Sequence, residues 1–343
     1  RLIRRCEESL AELLAETAQF GAAVVIGIPV REFNGLYNCA AVIQNGNILG
    51  VVPKEYLPNY QEFYEKRWFA SSRDLPGDTV TLCGQEVPFG RLLFRLGEVV
   101  MGVEICEDLW VPVPPSSQMA LAGANLIVNL SASNELVAKN TYRRELIAGQ
   151  SGRCICGYVY ASAGTGESTT DLVFSGACTI AENGSILAEG ERFSQTGSSV
   201  IACLDIERLS SERRKDGSFR DNAAALAPSF RVVEGTLPPL SVEQMDRPYD
   251  PTPFIPRDSR TREERCQEIF SIQAAGLARR MAHTGLKRAV IGISGGLDST
   301  LALLVASETM KILNLPAENI LCVTMPGFGT TDRTYRNALE LIA

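Results

Sequence analysis

Val99-Val100-Met101-Gly102-Val103-Glu104-Ile105-Cys106-Glu107-Asp108-Leu109-Trp110 begins as a strand and ends as a turn. Its β-branched, apolar first half predicts a buried strand over 99–105. The cysteine and two carboxylates that follow predict a tight polar turn. Downstream, Ser116 or Ser117 is expected to cap a short helix ending at Gly123, followed by a strand over 125–130. A helix over 141–154 and a strand over 158–163 come next. Upstream, the apolar rhythm of residues 1–20 predicts an amphipathic helix and 22–30 a buried strand. Asn45-Gly46 and Asn183-Gly184 mark hairpins, the first between strands at 39–44 and 48–52, the second between 177–180 and 185–189. A strand over 200–204 closes the series. Hairpins alternating with strand–helix–strand units predict an α/β fold, a layered sandwich over 1–207 with helices outside and sheets inside.

The pattern breaks after 207. Arg213-Arg214-Lys215-Asp216-Gly217 reads as a solvated charged loop, and Pro238, Pro239, Pro248, Pro251, Pro253 and Pro256 follow. Residues 208–258 are therefore expected to form an extended arm or linker. A new pattern occupies 259–343: helix 262–282, strand 288–293, helix 299–312 and strand 320–324. This βαβ unit is the beginning of a doubly wound parallel-sheet domain. One such unit cannot cover both faces of a parallel sheet, so the domain is expected to continue beyond Ala343.

Bulk properties narrow the chemistry. The chain has 343 residues, 45% hydrophobic and 21% charged, with a net charge of −7. Two domains suit that length. An acidic balance argues against nucleic acid as the partner. No apolar run is long enough to span a bilayer as a helix. The ten cysteines lack paired C-x-x-C spacing, so a structural zinc is not expected and a reducing, cytoplasmic setting fits. Cys154 and Cys156 read as core residues. The one histidine, His283, sits near a predicted helix end. A nucleophile in the first domain must therefore work without histidine.

Two places carry chemistry. Ser294-Gly295-Gly296-Leu297-Asp298-Ser299 lies between a strand and a helix. The glycines let backbone N–H groups approach an anion, and the helix turns its positive end toward it. Ser294 and Ser299 can donate to phosphate oxygens. Asp298 makes sense beside phosphate through Mg²⁺. No Walker lysine is present. The loop resembles that of the ATP-pyrophosphatase superfamily. That resemblance implies ATP binding at Gly292, Ile293, Ser294, Gly295, Gly296, Leu297, Asp298 and Ser299, with metal at Asp298.

In the first domain, Cys106 follows its strand as a nucleophile on a tight turn does. Taken alone, the segment reads rather as a buried cysteine beside exposed carboxylates. Lys54, after the apolar run Val51-Val52-Pro53, is placed to stabilise a thiolate or an oxyanion. The two segments resemble the nitrilase, or carbon-nitrogen hydrolase, superfamily, whose Glu-Lys-Cys triad uses no histidine. The resemblance makes Cys106 the nucleophile, Lys54 the catalytic lysine and Glu62 the second glutamate, with Glu65 the weaker candidate. It places the general-base glutamate upstream of Arg1.

Read together, the two halves look like the glutamine-dependent NAD synthetase family. The segments 53–65, 104–110, 129–139 and 166–171 match it. This implies a nitrilase-like α-β-β-α sandwich joined to an ATP-pyrophosphatase domain. It assigns Tyr60, Glu107, Ser133 and Lys139 to glutamine, Lys139 standing where many relatives carry arginine. Glutamine, ATP and deamido-NAD are the implied partners, with Mg²⁺ bound to substrate, no prosthetic group and a homo-oligomeric assembly. A tunnel for ammonia, sealed by the arm, is expected because protonated ammonia is a poor nucleophile. Two alternatives stand at this point: an amide hydrolase fused to an adenylating domain with another acceptor, and a non-catalytic scaffold. The stretch 1–343 by itself is expected neither to turn over glutamine nor to make NAD.

Overall fold

The computed structural model describes residues 1–168, 171–226, 228–237, 247 and 249–343. They form two units, Arg1–Arg247 and Pro248–Ala343. The first unit begins with α1 (Leu2–Glu16), β1 (Val24–Glu32), β2 (Gly35–Gln44) and β3 (Asn47–Pro53). A small antiparallel pair follows, β4 (Thr79–Leu82) with β5 (Gln85–Pro88). Then come β6 (Leu92–Leu96), β7 (Val99–Ile105), α2 (Pro115–Leu121), β8 (Leu126–Ser131), α3 (Lys139–Cys154) and β9 (Gly157–Ser162). The unit finishes with β10 (Cys178–Glu182), β11 (Ser185–Glu189), α4 (Ile206–Lys215), α5 (Gly217–Leu226) and β12 (Arg231–Glu234).

Alternation along β2 sets the layers. Cys39, Ala41 and Ile43 face α1 and join Leu10 and Leu14 in one core. Ala40 and Val42 face the opposite way, onto Leu92, Phe94, Met101, Val103 and Ile105 of a second sheet. That period of two is how one strand serves two cores. A third core lies on the far side of the second sheet, where Met119 and Ile147 pack against Ile127, Tyr158 and Tyr160. The order is therefore helix, sheet, sheet, helix, as the sequence predicts.

The first sheet runs β1-β2-β3 and the second β11-β10-β9-β8-β7-β6-β12. In the second sheet β7, β8 and β9 are parallel neighbours. Their carboxyl ends, at Ile105, Ser131 and Ser162, open on one side of the sandwich. This is where α/β sheets present ligand-binding loops. The hairpin at Asn45-Gly46 turns with positive φ at both residues, 49° and 74°, the values such a tight turn requires.

Three expectations are corrected. Ser116 and Ser117 lie inside α2 rather than capping it. Pro114 is the N-cap and Pro115 the first helical residue, its ring already fixing a helical φ. Residues 200–204 form no strand. Residues 208–258 are not an extended arm throughout: α4, α5 and β12 occupy much of the stretch, and β12 adds in parallel to β6. Residues 227, 238–246 and 248 of that stretch lie outside the described residues. The charged run at 213–217 misleads because Arg213 is not solvated. Its guanidinium donates to the carbonyls of Ala124 (2.6 Å), Cys154 (2.8 Å) and Ile155 (3.0 Å). Two of these lie at the C-terminal end of α3, where unpaired carbonyls attract a cation.

The second unit contains α6 (Ser259–Thr284), β13 (Ala289–Gly292), α7 (Leu297–Ile312), β14 (Ile320–Val323) and α8 (Asp332–Ile342). The strands are parallel, and α7 is the crossover between them. Asp258 caps α6 through the N–H of Thr261, and Gly285 ends it in the left-handed region at φ 72°. His283 lies in the last turn of that helix.

Candidate active site

A cavity of about 750 Å³ opens at the carboxyl end of β7. Lys54, Glu62, Glu65 and Cys106 all line it. Cys106 is the first residue of a short 3-10 turn, Cys106–Leu109, and has φ 50°. That is an uncommon conformation for a residue with a Cβ. It lets the strand turn abruptly and leaves the thiol at the cavity wall.

Lys54 leaves β3 and is only 3% exposed. Register explains its placement. Cys39 pairs with Pro53, so the next residues are held together by the Lys54 N–H donating to Asn38 O at 2.8 Å. The ammonium meets Glu65 Oε2 at 2.5 Å, and Asn38 Nδ2 donates to Glu65 Oε1 at 2.6 Å. A buried ammonium requires such a partner.

Glu62 is not the carboxylate beside Lys54. It accepts from Asn134 Nδ2 at 2.5 Å, and Asn134 Oδ1 accepts from Lys139 Nζ at 2.8 Å. Glu62's own backbone N–H and the Asn134 amide hold its carboxyl below the usual range. Glu65 is therefore the carboxylate that pairs with Lys54, and Glu62 the one that joins Asn134. Backbone bonds from Phe63 N to Tyr60 O and from Glu65 N to Pro58 O fold the segment back toward Lys54. We predict that Glu65→Gln, which leaves the buried Lys54 without a counter-charge, costs about 3 kcal/mol of stability. Glu62→Gln should leave the unfolding midpoint almost where it is, since no buried charge loses its partner. Urea unfolding of both variants checks the difference.

Of the remaining residues named from sequence, Tyr60 Oη donates to Glu107, lying 2.9 Å from both carboxylate oxygens. Burial and the neighbouring Glu107 raise the Tyr60 phenol, and burial raises Glu107. Ser133 is buried. Lys139 stands 5.4 Å from the centre of the Trp110 ring, and partial burial lowers its ammonium. None of these four lines the cavity, but Asn134 links Lys139 to Glu62, which does. In the 166–171 loop, Thr169 and Thr170 lie outside the described residues.

Three residues went unnoticed in the sequence. Asn38 and Asn134 orient the two glutamates. Asp108 is 2% exposed and accepts from the N–H groups of Tyr56 (2.8 Å) and Ile105 (2.9 Å). Burial raises its carboxyl, while the two N–H donors and Lys54 pull the other way, toward the ionised form that can accept at both oxygens. Its place two residues after Cys106 was the available signal.

In the second unit, the predicted loop joins β13 to α7. Gly295 has φ 80°, and Gly296 is the N-cap of α7. Ser294 Oγ accepts from Gly296 N at 3.3 Å and lies 3.2 Å from Ser299 Oγ. Gly292 and Ile293 lead into the loop, and Leu297 and Asp298 begin the helix. A cleft of about 540 Å³ borders it, lined by Gly295, Gly296, Thr300, Arg333 and Asn337. Backbone donors at the head of a helix and neighbouring hydroxyls suit a phosphate chain.

A cysteine on a strained turn and a buried lysine–glutamate pair, in one cavity of an α-β-β-α sandwich, define a class. The carbon-nitrogen hydrolase family model matches residues 5–214, and the chain belongs to that family. The NAD synthase model matches residues 269–343. The chain is 43% identical over 352 aligned residues to the glutamine-dependent NAD(+) synthetase of Mycobacterium tuberculosis (strain ATCC 25618 / H37Rv), covering 99% of this chain and 51% of that protein. It therefore spans about half the length of that relative. A glutamine-dependent NAD(+) synthetase from Cytophaga hutchinsonii superposes with a TM-score of 0.50 at 21% identity, over 99% of this chain and 54% of that one. A carbon-nitrogen hydrolase from Helicobacter pylori G27 does so with a TM-score of 0.50 at 21% identity, over 62% of this chain and 72% of that one. At that identity the two solved structures speak to the fold alone.

Proposed function

We propose that the chain provides the glutamine-hydrolysing half, and the ATP-binding loop, of a glutamine-dependent NAD synthetase. The observation that carries the reading is Lys54, buried against Glu65 in the cavity that also holds Cys106. The sulfur of Cys106 attacks the side-chain amide carbon of glutamine. The carbonyl electrons move onto oxygen, where the Lys54 ammonium stabilises them. Collapse expels the nitrogen as ammonia once it has gained a proton, leaving a glutamyl thioester. Water then attacks the thioester, releasing glutamate and restoring the thiol. Tyr60, Glu107, Ser133 and Lys139 hold the amino-acid end of glutamine. Lys139 carries the charge that an α-carboxylate needs, without arginine's two-pronged geometry.

The 294–299 loop binds ATP. Asp298 would hold a Mg²⁺ ion bound to the nucleotide, where the ion would offset the negative charge of the phosphate oxygens. The carboxylate of deamido-NAD attacks the α-phosphate and releases pyrophosphate. Ammonia displaces AMP to give NAD. The reading includes a cytoplasmic location and a homo-oligomer, the latter measurable by light scattering. The proposed boundaries are 1–207 for the hydrolase domain and 259–343 for the nucleotide-binding part.

The test supplies the full-length protein with glutamine labelled with ¹⁵N in its side-chain amide, ATP–Mg²⁺ and deamido-NAD. NAD bearing one ¹⁵N is expected, with one AMP and one pyrophosphate for each NAD formed. Labelled ammonia without NAD would keep the hydrolase half and replace the acceptor. No ammonia from glutamine would overturn the reading.

A further inference from the structure

Asp108 sits where the two arms of the proposed catalytic site meet. Its Oδ1 accepts from the N–H of Tyr56, two residues past Lys54. Its Oδ2 accepts from the N–H of Ile105, the residue before Cys106. One carboxylate thus joins the end of β3, from the first sheet, to the end of β7, from the second. Tyr56 and Asp108 are 52 residues apart in sequence. Among the described residues no ion pair involves Asp108, so backbone donors carry the contact. A capping role inside the Cys106–Leu109 turn explains only the bond to Ile105. The bond to Tyr56 has no part in that turn.

We infer that Asp108 is a positioning residue that fixes the Lys54 ammonium relative to the Cys106 sulfur by accepting at once from the backbone two residues past Lys54 and from the backbone one residue before Cys106. The inference rests on the glutaminase reading above. Neither oxygen is free to reach substrate, so Asp108 acts only through the other two residues. An amide at position 108 is enough to break the arrangement, because one of its two heads is a donor and must oppose one of the two N–H groups. The separation between ammonium and sulfur then loosens, and small displacements of catalytic groups cost large factors in rate.

The experiment compares wild type, Asp108→Asn and Asp108→Ser in the full-length protein. It measures kcat and KM for glutamine hydrolysis, per folded site, and the rate of Cys106 alkylation by iodoacetamide at a fixed pH. Asp108→Ser, which can keep the Ile105 bond and lose the one to Tyr56, stands in if the asparagine variant does not fold. A fall in kcat of about thirtyfold or more is expected, with KM within about threefold. The rate of Cys106 alkylation at a fixed pH is expected to change at least about threefold, as the ammonium no longer keeps a fixed place beside the sulfur. An unchanged alkylation rate, or a loss of turnover that only tracks the loss of folded protein, would overturn the inference. Failure of the wild type itself to hydrolyse glutamine would instead count against the glutaminase reading, which separates the two.

Discussion

Replacing Cys106 with alanine is expected to lower glutamine-dependent NAD formation at least about a thousandfold in the full-length protein. Ammonia-dependent formation should stay within about twofold. The asymmetry follows from the division of labour. Two cysteines line the cavity, but Cys39 is fully buried and its thiol is raised by burial, so thioester formation falls to Cys106, whereas the proposed ATP loop lies in the other unit. Stability should barely move, because Cys106 is only partly buried and its φ of 50° is no worse for alanine. Assays with glutamine and with ammonium chloride, run side by side, check this. Loss of both activities together would mean that Cys106 supports the fold rather than the hydrolysis.

The second large effect belongs to Gly295→Ala. Gly295 combines φ 80° with a backbone neighbour, the Thr334 carbonyl of α8, where a new methyl would sit. The left-handed conformation alone costs about 1–2 kcal/mol for a residue with a Cβ. The clash must displace either the loop or the helix, since a carbonyl has no rotamer to retreat into. A hundredfold or greater loss of ATP-dependent pyrophosphate release is the expected result, about 2 kcal/mol or more in stability, with glutamine hydrolysis retained. Gly296→Ala is the contrast. A methyl there meets only Ser294 Oγ, at 3.4 Å, so the fold should tolerate it. Pyrophosphate release together with calorimetry of the two variants decides whether the loop binds ATP through its backbone shape. Equal, wild-type-like activity in both would remove the loop from the nucleotide site.

The layered sandwich was legible because its strands declare themselves. The run 99–105 is apolar and β-branched, and Asn-Gly marks two of the hairpins. Cys106 and Lys54 were legible for a related reason: both sit at ends of such strands. Glu65 was not. The spacing from Lys54 does not say which carboxylate faces it, because two backbone turns within 58–65 decide which one comes back. Those turns have no sequence signature of their own. Arg213 was hidden differently. A run of charges ordinarily stays in water, and only the crowding of carbonyls from Ala124, Cys154 and Ile155 makes burial favourable. β12 escaped because four residues at a sheet edge are fixed by ladder bonds to β6 rather than by their own pattern.

That short edge strand has a consequence for how the protein is made. Arg95 of β6 and Glu234 of β12 form an ion pair across 139 residues of sequence. Gln44 is held in the same way, its side-chain carbonyl accepting from Thr236 N at 2.9 Å. On the ribosome, β6 therefore emerges long before the strand that covers its outer edge. During that interval the nascent sandwich presents an unpaired row of amides and carbonyls, the kind of edge that recruits strands from other chains. Translation speed between the two segments sets how long the exposure lasts, so synonymous codon changes within that interval should alter the aggregated fraction without altering a single residue of the finished protein.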